Sequence, residues 1–193
     1  MTTTPPAPRL SPLPIDQIDD AVRETIAATM SPESAADPSR ILPAMATMLH
    51  HHELYRMQAD LSHTLYKGAL PRRVMKLILL RTAWTNKGAF VWSFHSQDAK
   101  KQFGFTVEDL ERITVGSGAD GWDELDRASV SAVEELQATG TIGDVTWEVL
   151  ARHLNPKQLI EIPVLVGQMH GVIYTQNALQ LPLIPGSPGL AAR

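Results

Sequence analysis

An all-α fold is the class that this sequence predicts, and three observations predict it. Nearly every segment between residues 15 and 181 spaces its apolar residues three and four apart, the repeat of one helix face. No segment alternates apolar and polar residues in the two-residue period of a half-buried strand. Helix punctuation recurs as well: Gly68 and Gly104 stand where periodic runs end, and Thr106 and Asn155 stand where new ones begin.

The elements follow in order. Residues 1–14 hold five prolines among small polar side chains and are expected as an extended N-terminal arm. In 15–29, Ile15, Ile18, Val22 and Ile26 keep helical spacing, with acidic residues in the first turns where the helix dipole favours them. Residues 31–40 read as a loop, and 41–49 as a short helix. Leu54, Met57, Leu61 and Leu65 form one stripe of a helix over 53–67. Leu70-Pro71 opens the next helix, apolar at Val74, Leu77, Ile78 and Trp84, because proline is tolerated where the backbone N–H has no partner anyway. A tight turn at 86–88 leads to a helix over 89–103. Thr106 and Asp109 resemble a capping box, with Asp in place of the usual Glu or Gln. After a glycine-rich turn at 116–121, Leu125, Ala128, Ala132 and Leu136 line one face of a helix over 123–138. Asp144 reads as the cap of a helix holding Trp147, Val149 and Leu150. Asn155-Pro156 starts the last helix, in which Pro163 removes one hydrogen bond and is expected to make a kink. Residues 15–181 are thus expected as a single helical domain, and 182–193 as an extended C-terminal tail.

Composition sets the bounds on function. A chain of 193 residues with 44% apolar side chains buries roughly 70% of its unfolded surface and needs no covalent staples. It has no cysteine, which excludes disulfides, thiolate nucleophiles and cysteine-ligated metals. The net charge of −4 and the scattered basic residues point away from nucleic acid. No apolar run approaches the roughly 20 residues that span a membrane, and no basic segment followed by an apolar one marks a signal peptide. A cytoplasmic protein is expected.

The stretch LPRRVMKLILLRTAW, NKGAFVWSFH and KKQFGFTVEDLERI, from Leu70 onward, resembles the core of the carboxymuconolactone decarboxylase family. The downstream GWDELDRASVSAVEELQATGTIGDVTWEVLARHLNPKQLIEI and VLVGQMHGVIYTQNAL, and the leading RLSPLPIDQIDD, extend that resemblance over most of the chain. It implies the helical fold of alkylhydroperoxidase D. In the peroxidase branch a Cys-x-x-Cys pair stands seven and four residues before a histidine; here those positions are Gly88 and Val91, ahead of His95. A glutamate usual in the preceding helix is matched by Lys76, and a tyrosine usual in the last helix by His170. The resemblance therefore implies a site that has kept its histidine, lost both thiols and become more basic. It implies no thiol peroxidase.

Each candidate has an ordinary reading beside the functional one. By residue type alone, His95 among Phe90, Val91, Trp92 and Phe94 is a satisfied core histidine; with the resemblance it becomes the candidate general acid or base. Lys76 reads either as a solvated lysine on an amphipathic helix or as a catalytic cation that anchors a carboxylate. Arg81 reads as a structural ion pair or as a substrate anchor beside Arg72 and Arg73. Trp92, Val91 and His170 are the remaining candidates for the pocket wall, although tryptophans at helical positions usually pack in cores. His50, His51 and His52 point about 100° apart on a helix and do not converge on one ion, so no metal site is expected.

The resemblance implies a lyase that needs no cofactor, metal or thiol and acts on a small carboxylated lactone or related organic acid. Lys76 or Arg81 would hold the developing anion, and His95 would move the proton. The alternatives on the same fold are an isomerase, a hydratase, a lactone-opening enzyme, or an oligomeric binding protein that has lost catalysis. A cavity at His95 favours an enzyme; a solid apolar core there favours the binding protein. The family also implies a homo-oligomer, a trimer or hexamer, with the arms as clasps and Leu10, Leu13, Leu183 and Ile184 in need of cover.

Overall fold

The computed structural model describes residues 7–193, so the first six residues of the expected arm lie outside the described residues. Ten α-helices, and no strand, are found among the described residues: α1 (Asp20–Thr29), α2 (Pro32–Ala36), α3 (Pro43–Met48), α4 (His52–Tyr66), α5 (Arg72–Thr85), α6 (Ala89–Phe103), α7 (Val107–Val115), α8 (Glu124–Thr139), α9 (Asp144–His153) and α10 (Pro156–Leu179). The all-α expectation holds.

Two cores organise these helices. The larger is built around α5, which packs against α6, α7, α8 and α10. Val74, Met75, Leu77, Ile78, Leu80 and Ala83 are all buried, and a helix buried on most of its circumference belongs in the centre of a bundle. The smaller core joins Ile18, Val22, Ile26 and Leu49, with Leu13, Met30, Ile41 and Tyr55 packed on it. It forms a cap of α1 to α3 seated on the N-terminal half of α4. Each fully buried Ile or Leu contributes roughly 1.5–3 kcal/mol, so the cap rests on far less than the body.

Capping accounts for where the boundaries depart from the sequence reading. The first helix starts at Asp20 rather than near Ile15, because the Asp19 carboxylate accepts from the Val22 N–H at 2.9 Å. Ile15 is left on a short 3-10 turn and exposed. The expected loop at 31–40 contains α2, because Ser31 caps it and Pro32 occupies its first turn. Asp144 does not cap α9. Gly143 is the cap residue, and the Glu135 carboxylate of α8 accepts from the Gly143 N–H at 2.8 Å and the Thr146 hydroxyl at 2.6 Å. The capping boxes at Thr106–Asp109 and Asn155–Gln158 are both complete. α10 is assigned as one helix through Pro163.

The stripe on α4 turns outward. Leu65 is buried, but Leu54 and Met57 are 53% and 70% exposed. The inward face carries Tyr55, Gln58, Ala59 and Ser62 instead, and these line a cavity. The described parts of both flanking segments are hydrogen-bonded onto the helices. In the arm, the Arg9 N–H donates to the Leu179 carbonyl at 3.0 Å and the Leu13 N–H to that of Ala46 at 3.1 Å. Residues 182–193 hold no α-helix; their 3-10 turn (Gly189–Ala191) lies on α6, where the Trp92 indole donates to the Ala192 carbonyl at 3.1 Å.

Candidate active site

Four side chains from three helices meet beside α6. Lys76 projects from α5, His95 and Asp98 from consecutive turns of α6, and Tyr66 from the end of α4. Lys76 Nζ lies 3.1 Å from His95 Nδ1 and also donates to Asp98 Oδ2. The Tyr66 hydroxyl donates to the same Asp98 oxygen at 2.9 Å. The ammonium stands 4.9 Å from the ring centres of both Tyr66 and Phe103. The lysine is 0% exposed, and a buried ammonium persists only where a counter-charge and acceptors surround it.

The protonation states follow from this geometry. Burial first, and then the Lys76 charge, push the His95 imidazole down to about 3 against a smaller upward pull from Asp98, so the ring is neutral at neutral pH. An ammonium can only donate. Nδ1 must therefore accept from Lys76, and the ring proton sits on Nε2. Burial lowers the Lys76 pKa as well, with Asp98 opposing the shift. Burial raises that of Asp98, but hydrogen bonds from Lys76 and Tyr66 outweigh it and leave the carboxyl below its ordinary value. Burial, reinforced by Asp98, pushes the Tyr66 phenol up to about 12.

This cluster stands where two cavities meet. The first, of about 410 Å³, lies between the cap and the body, walled by Leu42, Met45 and Met48 on one side and by Phe90, Val91 and Val172 on the other. The second, of about 510 Å³, takes in Tyr66, Asp98 and Gln102. His95, Phe94, Ser62 and Met169 belong to both. A histidine with a displaced pKa on the wall of an apolar cavity, hydrogen-bonded to a buried lysine, makes this the candidate site.

The sequence candidates divide. Lys76 and His95 are brought together, and Val91 lines the first cavity. Arg81 is not at this site: its guanidinium pairs with Glu134 at 2.8 Å and donates to the Ile113 and Thr114 carbonyls at 2.7 and 3.0 Å, on the α7–α8 side. Trp92 packs in the core, its ring 5.0 Å from that of Trp84. His170 stacks on Tyr174 at 5.4 Å; its neighbour Met169 faces the cavity, and one residue along a helix turns the side chain by about 100°. The three consecutive histidines take three partners: the Ser11 carbonyl for His50, the Leu54 N–H for His51 and the Thr25 hydroxyl for His52.

Sequence reasoning missed Asp98, Tyr66 and Gln176. Asp98 had a signal, since it follows His95 by three residues and so shares its helix face. Tyr66 and Gln176 had none, because only the packing of α4 and α10 brings them in. Gln176 lines the first cavity, and its Oε1 is buried with no hydrogen-bond donor among the described residues. Gly88, the first of the two thiol positions in the resemblance, sits against α10: a Cβ built there would lie 2.9 Å from Cγ1 of Ile173.

Part of the chain matches a known family model, and its fold has known counterparts. Residues 52–135 match the model of the carboxymuconolactone decarboxylase family, a span running from α4 into α8 that contains Tyr66, Lys76, His95 and Asp98. No curated protein matches the chain. Among solved structures, an uncharacterized peroxidase-related protein from Silicibacter sp. TM1040 superposes with a TM-score of 0.71 at 14% identity, over 98% of this chain and 100% of its own. A variant of the debrominase Bmp8, in complex with 2,3,4-tribromopyrrole, gives 0.66 at 14% identity over 91% of each chain. The Agrobacterium tumefaciens protein ATU0492, of unknown function, gives 0.64 at 21% identity over 71% of this chain and 94% of its own. At these identities the likeness is one of fold.

Proposed function

We propose that this chain, a carboxymuconolactone decarboxylase family protein without cysteine, is an acid–base enzyme that removes carbon dioxide from a small carboxylated lactone or related organic acid. The observation that carries this reading is the 3.1 Å contact from Lys76 Nζ to His95 Nδ1 at the wall of the apolar cavity.

Loss of carbon dioxide breaks one carbon–carbon bond and leaves its electron pair on the substrate, spread into an adjacent unsaturated carbonyl. A proton must then reach that carbon. His95 gives the proton on Nε2, and Nδ1 takes one from the Lys76 ammonium, which ends as a neutral amine. The lowered Lys76 pKa eases that transfer. One proton from solvent, entering through the cavity that holds Asp98 and Tyr66, restores the start, so the sum is carboxylate plus proton to protonated product plus carbon dioxide. The buried positive charge beside His95 stabilises negative charge developing on the substrate. Arg81, turned away, has no part in it.

The open space at His95 supports an enzyme over a binding scaffold with a solid core. The tribromopyrrole in the Bmp8 complex supports a small ring as occupant. Proton shuttling without carbon dioxide loss, as in an isomerase, would use the same tautomer. Carbon dioxide release from 4-carboxymuconolactone, measured beside His95→Ala, decides between these: turnover should fall by about a hundredfold or more in a variant that keeps its fold. A fully active His95→Ala protein would sink the assignment.

A homo-oligomer, as trimer or hexamer, is part of the proposal. Leu54 and Met57 on α4, with Ile160 and Tyr174 on α10, present large apolar side chains to solvent in the single chain.

A further inference from the structure

Two cavities of opposite character meet at His95. The second carries the Asp98 carboxylate on its wall, with Tyr66, Gln102 and His63 beside it. Among the described residues, no Asp, Glu, Lys or Arg lines the first. Three of its polar side chains are turned to the protein: Ser62 Oγ accepts from Gln168 at 3.0 Å, the Thr175 hydroxyl donates to the Gly171 carbonyl at 2.8 Å, and Gln176 Oε1 is buried. What faces the space is mainly hydrocarbon and thioether.

Three segments build that wall: Met45 and Met48 come from α3 of the cap, Phe90 and Val172 from α6 and α10 of the body, and Leu181 from the start of the C-terminal segment. The volume of about 410 Å³ lies within the range of roughly 300–1,000 Å³ that takes up an organic ligand. Apolar surface gains free energy on entering such a space, whereas a charge placed there would lose its water without meeting a counter-charge. The second cavity is the reverse case, since an apolar group there would strip water from Asp98 and its polar neighbours. Methionine side chains are flexible, so a wall that holds several of them adapts to occupants of different shape.

We propose that the first cavity is the subsite for an uncharged hydrocarbon arm, alkyl or aryl, that the substrate carries away from its carboxylate. The substrate class is thereby narrowed to organic acids with an apolar substituent, reacting at His95 while the arm fills the space between cap and body. This rests on the acid–base reading for placing the carboxylated end at His95, but not for the apolar subsite itself.

The test is a chain-length series, read by titration calorimetry with 4-methyl-, 4-propyl- and 4-pentylbenzoate. In the intact protein each added methylene should tighten binding about fourfold. Val172→Phe and Ala59→Phe fill the space from two helices, α10 and α4, and either should flatten the series, the longest compound losing most. Met57→Glu, on the outward face of α4, should leave the series as it is. In His95→Ala the series should persist although carbon dioxide release is lost. The series needs no turnover, so this proposal and the catalytic one fail separately. A flat series or no binding in the intact protein, a gain that survives either filling variant, or a gain that Met57→Glu removes would each overturn it; the first two need no variant to fold.

Discussion

The body and the cap hold the same cavity on unequal foundations. Around α5 the body buries residues on every side of a helix, and it supplies Lys76, His95, Asp98 and Gln176. The cap closes the opposite wall with Leu42, Met45 and Met48, yet its own core is four buried side chains and a few half-buried ones. The difference teaches where precision and access reside. The groups held within hydrogen-bonding distance of one another sit on the larger core, and the facing wall sits on the element with the lower cost of opening.

The largest effects should come from the two cores. Leu77→Ala and Ile26→Ala each truncate a fully buried side chain, at a cost of about 2–5 kcal/mol. Leu77→Ala should lower the midpoint of global unfolding. Ile26→Ala should instead weaken ligand binding and raise amide exchange in α1 to α3, with α5 and α10 protected as before. Equal loss of global stability in both variants would show that cap and body unfold as one unit, and would break the comparison.

A second effect is confined to the body. The His95 pKa is about 3 in the fold, against an ordinary 6.5, so between those values the unfolded chain binds the extra proton. The stability contributed by the neutral ring is complete above pH 6.5 and is lost as pH falls from there toward 3. Nitrogen chemical shifts of His95 should show a neutral ring, protonated at Nε2, at about pH 5, midway through that window; an imidazolium there would remove the tautomer argument.

The smallest effect on the single chain concerns its outer face. Met57→Glu changes an exposed residue, so stability should move by no more than about 0.5 kcal/mol, while light scattering should report a smaller assembly than the parent gives. A parent protein of monomeric mass at micromolar concentration would contradict the oligomer directly.

Legibility in the sequence divides along similar lines, since whatever is decided within a few residues could be read there. Gly104 ends α6 in the left-handed conformation, and Thr106–Asp109 and Asn155–Gln158 close as boxes, because each involves neighbours in the chain. The resemblance was legible from the stretch around Leu70 to His95, and with it the fold. Faces were read less well. Leu54 and Met57 gave a proper helical stripe, but the stripe said nothing about which side would meet the body, and the half-polar face went inward. Within the site, the resemblance marked Lys76 and His95 separately, and only the packing of α5 on α6 joins them. Arg81 followed from its charge and its helix, but Glu134, 53 residues away in the chain, claimed it.

Gly88 sets a steric limit on what this core can accept. Where the resemblance places the first cysteine of the peroxidase branch, Ile173 now presses so closely that a new Cβ would fall 2.9, 3.0 and 3.1 Å from three of its side-chain carbons. The side chain in the way is itself wholly buried in the body. Placing a thiol at Gly88 by one substitution would therefore strain the core before it added any chemistry, and the resemblance puts a second thiol at Val91. A side chain at position 88 would fit only beside a smaller residue at 173, and that exchange alone opens a void. The core around Ile173 is thus shaped to a residue without a side chain at position 88.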